Sequence, residues 1–143
     1  MTTARENFSI KFYGILLMVA FGINLVWEIS QMSFFEGKPG GSTAGNLFFC
    51  ALASVIDALT TAAVFWLLAK SLKKTDSKFY LAAAFLGAVC AVIFELAASA
   101  FGLWSYGEKM PVIPVLNTGL LPFVQLTILI PLAIWLALNL KRN

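Results

Sequence analysis

The chain has 143 residues, 60% of them hydrophobic and only 12% charged, with no histidine and a formal net charge of +3. That balance is far from the one found in water-exposed globular domains and places the chain among membrane proteins too short for several domains. Without histidine there are no clustered iron ligands of the desaturase kind, no axial ligand for b-type haem and no intramembrane zinc motif. No cofactor and no metal are expected, and any chemistry falls to carboxylates, amides, hydroxyls and aromatic rings.

The first apolar stretch covers about 12–35 and opens on Lys11-Phe12-Tyr13. Lysine snorkels to the headgroups and the two aromatics suit the interfacial belt, so this triplet reads as an anchor. No small-residue cleavage pattern follows, and the stretch is expected to be a retained span. Asn24, Glu28 and Gln31 follow at i, i+4 and i+7, a polar stripe on one helical face, with Trp27 beside Glu28. Seventeen positions, about 25 Å of helix, separate Lys11 from Glu28. Glu28 therefore belongs to the outer part of the bilayer, where an ionised carboxylate is costly unless paired, wetted or protonated.

After a Gly-rich turn, EGKPGGSTAGN, a second span is expected at about 46–69. Asn46, Cys50, Ser54, Asp57 and Thr61 make its polar stripe, and Asp57 falls near the middle of the bilayer. The third span, about 79–104, starts again on Lys78-Phe79-Tyr80 and carries Phe94-Glu95 seventeen positions after its lysine, as the first carries Trp27-Glu28. Ala91, Glu95, Ser99 and Gly102 share one face there, small enough to let a neighbouring helix approach. Cys50 and Cys90 lie in different spans without CxxC spacing and read as small buried residues.

The next segment, FGLWSYGEKMPVIPVLNTGLLPF, brings Trp104 and Tyr106 to the outer interface. Pro111, Pro114, Gly119 and Pro122 prevent a regular helix start, so the segment is expected either to lie along the interface and roof the acids or to be an ordinary Pro-rich turn. A fourth span at about 115–140 contributes Gln125, one position from the repeat equivalent of Asp57.

That equivalence follows from an internal repeat. KFY recurs after 67 positions, and VFWLLAKSLK at 64–73 is echoed by AIWLALNLKR at 133–142, with Trp66 and Trp135 in register. The expected fold is all-α: an integral membrane four-helix bundle made of two tandem hairpins, 1–74 and 75–143, related by a pseudo-two-fold along the membrane normal. Eight of the ten basic residues fall on one side of the four-span plan, leaving Lys38 and Lys109 on the other. The positive-inside rule then puts both termini in the cytoplasm, in a multi-pass protein of the inner (cytoplasmic) membrane. With its basic residues at span ends, the chain is not expected to bind nucleic acid.

WEISQMSFF, an Asp-bearing second span, then FEL, WSY, MP and PFVQ resemble a WExxQM-type pattern of small four-span bacterial membrane proteins, over most of the chain. The resemblance implies the architecture and no activity. WSY and the polar residue after LPF are also similar, more faintly, to membrane carotenoid cyclases, whose PxE motif carries the acid; here the segment is PFVQ, without that carboxylate.

Three acids without a basic residue in the apolar spans cannot all stay ionised and unpaired. Shared protons, a protonated member, or a cation or polar ligand must relieve them. The sequence thus points to an outward-opening site that binds an amphiphile, lipid or isoprenoid-like, or acts on it by non-redox acid/base chemistry. Glu28, Glu95 and Asp57 are the candidate catalytic groups, and Asn24, Trp27, Gln31, Phe94, Trp104, Tyr106 and Gln125 the candidate ligand contacts. The alternatives are a proton- or cation-coupled transporter working as a homodimer, an accessory subunit whose acids meet a partner's groups, and a purely structural polar core.

Overall fold

In a computed structural model of the chain, residues 8–36, 42–72 and 74–142 are described. Four helices carry the fold: α1 (Ile10–Gln31), α2 (Thr43–Ser71), α3 (Ser77–Ala100) and α4 (Leu120–Arg142). Each is long and apolar enough to cross a membrane, so the fold is that of a multi-pass helical membrane protein. Two minimal sheets lie at one end of the bundle. β1 (Phe35–Glu36) pairs antiparallel with β2 (Ser105–Tyr106), and β3 (Val112–Ile113) with β4 (Thr118–Gly119).

Caps set where the helices begin. The Ser9 hydroxyl accepts from Phe12 N–H at 3.4 Å and that of Ser42 from Gly45 N–H at 3.1 Å. Asp76 Oδ1 accepts from Lys78 and Phe79 N–H at 3.0 and 3.2 Å. Each satisfies first-turn donors that have no partner inside the helix. The helices accordingly start two or three residues ahead of the hydropathic stretches. Three boundaries differ more, the first being the end of α1, at Gln31 rather than 35, after which Met32–Phe34 form a 3-10 turn. α3 stops at Ala100 rather than 104, and α4 starts at Leu120 rather than 115, because residues 112–119 form a hairpin. Pro122 is tolerated in the first turn of α4, where no backbone donor is needed.

Around the bundle the order is α2, α1, α4, α3: α1 packs broadly on α2 and on α4, α3 on α4, and α2 meets α3 only sparsely. One seam, between α2 and α3, is therefore slack. At the end near residues 71–77 it is closed by aromatic rings. Phe65 of α2 lies 4.9 Å from Phe12 and 5.9 Å from Phe79, centroid to centroid. Phe12 and Phe79 are thus core residues, almost wholly buried, and not the interfacial anchors their KFY triplets suggest. Attraction between rings and their packing outweighs the belt preference here.

The buried faces of α1 and α3 run in parallel. Phe12, Leu16, Ala20, Asn24 and Gln31 are buried on α1, and Phe79, Ala83, Gly87, Ala91 and Ala98, each 67 positions later, on α3. Gly87 is a point of close helix approach: a Cβ there would stand 2.3 Å from the Leu126 carbonyl oxygen. Of the expected small-residue stripe at 91–102, Ala91 and Glu95 are buried in the bundle. Ser99 and Gly102 are exposed, and Gly102, past the helix end, takes φ +64.

Candidate functional site

Where the α2–α3 seam is not closed by rings, it widens into a partly open cavity of about 370 Å³. Phe49, Leu52 and Ile56 of α2 face Phe94, Ala98 and Phe101 of α3 or its end across it, and Trp104 and Pro122 come from the segment between α3 and α4 and from the start of α4. Its polar lining is Glu28, Gln31, Asp57, Glu95 and Gln125, one or two from each helix. Among the described residues no lysine or arginine lines it.

A buried hydrogen-bond layer joins these groups. Gln125, on α4, donates from Nε2 to Asn24 Oδ1 and Asp57 Oδ2, 3.0 Å each, and its Oε1 accepts from Gln31 Nε2 at 2.9 Å. Gln31 Nε2 also donates to Glu28 Oε1 at 3.0 Å, while Trp27 Nε1 donates to Gln31 Oε1 at 3.2 Å. Asn24 Nδ2 reaches the Ala20 carbonyl at 2.8 Å. One layer thus links α1, α2 and α4. On the far wall Glu95 is held differently: its Oε2 accepts from the Tyr106 hydroxyl and, at 3.5 Å, from Trp104 Nε1.

The chain reaches that arrangement through β1–β2. Phe35 pairs with Tyr106, Gly107 N–H donates to the Phe34 carbonyl at 2.9 Å, and the Phe35 ring lies 5.8 Å from Tyr106 and 6.1 Å from Trp104. The ladder fixes both donors over Glu95, so the Pro-rich segment does cover part of the acidic site. Burial, reinforced by the Glu95 carboxylate and opposed by the Gly119 N–H, pushes the Tyr106 phenol far above its ordinary range. A second, more polar cavity is lined by Ser99, Ser105, Tyr106 and Asn117 among others, and Glu95 and Trp104 line both.

Of the residues singled out from sequence, Glu28, Gln31, Asp57, Phe94, Glu95, Trp104 and Gln125 line the first cavity. Asn24 and Trp27 do not; they brace Gln125 and Gln31 from behind, and Tyr106 lies on the second cavity. The two glutamates, 67 positions apart, differ in their hydrogen bonds: Glu28 accepts from an amide and Glu95 from a phenol and an indole. Phe94 and Trp104 were expected as apolar walls and line the cavity, but sequence reasoning missed the α2 side: Phe49, Leu52 and Ile56 carry no signal that separates them from lipid-facing neighbours. Ser99 was read as a packing residue and Asn117 was not singled out. Among the described residues no cluster of three acids or cysteines converges closely enough to hold a metal ion.

These features define a helical membrane protein with an acid-lined cavity between α2 and α3. Comparison with family models, with curated proteins and with solved structures gives no match.

Proposed function

We propose that the chain binds an amphiphilic molecule, lipid or isoprenoid-like, in the cavity between α2 and α3, or acts on it there by non-redox acid/base chemistry. The observation that carries this reading is the cavity itself: partly open, walled by apolar residues of α2 and α3, and lined by three carboxylates and two amides as well. Such a shape accepts a chain from the bilayer and fixes its polar end. Glu28, Asp57 and Glu95 are the groups that exchange protons or anchor the ligand. Tyr106, kept in its phenol form, positions Glu95.

In this reading the two hairpins are copies related by an axis along the membrane normal, with both termini cytoplasmic and the cavity toward the outer leaflet. The matched burial of α1 and α3 supports the first point, and the placement of basic residues supports the second.

The test is to purify the full chain in nanodiscs, extract it and analyse the organic phase by mass spectrometry, beside a variant with Ala53→Trp, which fills the cavity from α2. A defined amphiphile that co-purifies with the wild type and is lost from the variant is the expected result. No co-purified amphiphile, together with none bound in a lipid screen, refutes the reading.

A further inference from the structure

The β3–β4 hairpin has two unlike ends. Its base is packed into the bundle: Met110 and Thr118 are buried, and Gly119 sits so tightly that a Cβ there would stand 3.0 Å from the Tyr106 ring and 3.1 Å from Pro122. Its tip is bare. Val115 is 93% exposed, and Val112, Pro114, Leu116 and, at the foot, Leu120 are exposed with it. Glu108 and Lys109, just ahead of the hairpin, are charged and exposed, yet no residue from Met110 to Leu140 carries a charge. The chain thus presents aliphatic side chains at a turn, where a water-facing turn carries polar ones, and such a bare apolar patch marks a contact surface.

The backbone is suited to the same contact. Pro111 and Pro114 have no N–H, Val112 and Ile113 pair with Gly119 and Thr118, Asn117 N–H donates to the Ile113 carbonyl at 2.8 Å, and Leu120 N–H to the Pro111 carbonyl at 2.7 Å. A turn whose backbone donors are removed or paired in this way loses little on leaving water. Nor can the hairpin stand away from the membrane, because β4 ends at Gly119 and α4, a helix of membrane-crossing length, begins at Leu120 without a linker. We propose that β3–β4 is an interfacial membrane anchor, with Pro114, Val115 and Leu116 entering the boundary between headgroups and acyl chains beside the start of α4. The bilayer that the helices cross is what covers the apolar tip. Because its base is packed against Tyr106, the anchored hairpin holds the cover over Glu95 at a set depth. This surface is separate from the cavity and does not depend on what the cavity binds.

The test uses the full chain with Cys50→Ala and Cys90→Ala, carrying either Val115→Cys or, as the water-side control, Lys109→Cys. Each is labelled with a nitrobenzoxadiazole fluorophore and reconstituted in phosphatidylcholine nanodiscs. Both side chains are exposed, so an unfolding midpoint equal to that of the cysteine-free chain is expected and checks the fold. Lipid carrying a nitroxide near the top of its acyl chain should quench the label at 115 at least about threefold more than the label at 109, and iodide in the water at least about threefold less, as insertion to the headgroup and acyl boundary requires. Iodide reaching both positions equally, or nitroxide lipid quenching neither, overturns the anchor. Shielding of position 115 from both quenchers overturns it as well, since a second copy or another protein would then be the cover.

Discussion

Gln125 is the side chain through which three helices meet, and replacing it tests whether that layer holds the bundle together. It is 2% exposed and makes three side-chain hydrogen bonds, to Asn24, Gln31 and Asp57. Gln125→Leu keeps a similar volume, so the loss is polar rather than a void. Interhelical hydrogen bonds in membrane proteins contribute about 0.6 kcal/mol each on average, which gives about 2 kcal/mol for three. Stranding Asn24 Oδ1 and Asp57 Oδ2 raises the expected loss to about 2–4 kcal/mol. The assay is reversible unfolding in mixed micelles at increasing mole fraction of sodium dodecyl sulfate. Ser30→Ala serves as control, since its exposed hydroxyl bonds only the Val26 carbonyl of its own helix, and should stay within about 0.5 kcal/mol of wild type. Adding Asn24→Leu to Gln125→Leu should cost less than the two single changes together, because each single change strands what the double change removes. A Gln125→Leu protein as stable as the Ser30→Ala control refutes the claim that the polar layer fastens α1, α2 and α4.

Gly87→Ala should destabilise by about 1–3 kcal/mol in the same assay, because its methyl meets the Leu126 carbonyl backbone. Gly14→Ala and Gly22→Ala, with nothing within 4 Å of a new Cβ, should be neutral or stabilising. Thr118 is wholly buried and its hydroxyl has no partner among the described residues, so Thr118→Val should match or exceed wild-type stability, by up to about 1 kcal/mol. Asp57→Asn still accepts from Gln125 and should fold normally, whereas Asp57→Leu should lose about 1–3 kcal/mol, both read as unfolding midpoints. The Tyr106 phenol is raised in the folded state, so above about pH 10 the unfolded chain releases a proton that the folded one keeps. Stability from this group is full below that pH and falls as pH rises past it. An alkaline titration of the unfolding midpoint should show a steeper fall in wild type than in Tyr106→Phe.

The four helices were legible because apolar runs of this length have few other fates, and their order of contact was not, because lipid-facing and partner-facing leucines look alike in sequence. The fourth helix was placed too early for a local reason. Val112, Ile113, Val115 and Leu116 are as apolar as a span, yet the chain turns at residues 114–117, with Asn117 at φ 52, and closes a hairpin instead. The acids and Gln125 were visible because polar groups in apolar helices are rare and costly. Their different treatment was hidden. What sets Glu95 apart from Glu28 is the pairing of Phe35 with Tyr106, a contact between distant segments that leaves no local pattern.

That same pairing distributes stiffness unevenly. It stitches the C-terminal end of α1 to the chain leaving α3, with Ser105 Oγ donating to the Glu36 carbonyl at 3.2 Å as a further stitch. The hairpin β3–β4, with Leu120 N–H on the Pro111 carbonyl at 2.7 Å, ties the same segment to the start of α4. Three helices are thereby framed at the cavity end, while α2 is hung on α1 and touches its other neighbours sparsely. A ligand too large for the resting cavity would be admitted by an outward lean of α2, with the frame standing still. Glu28 and Glu95 belong to the frame and Asp57 to the leaning helix, so filling the cavity would change the distance between Asp57 and the other two acids while theirs to each other stayed fixed.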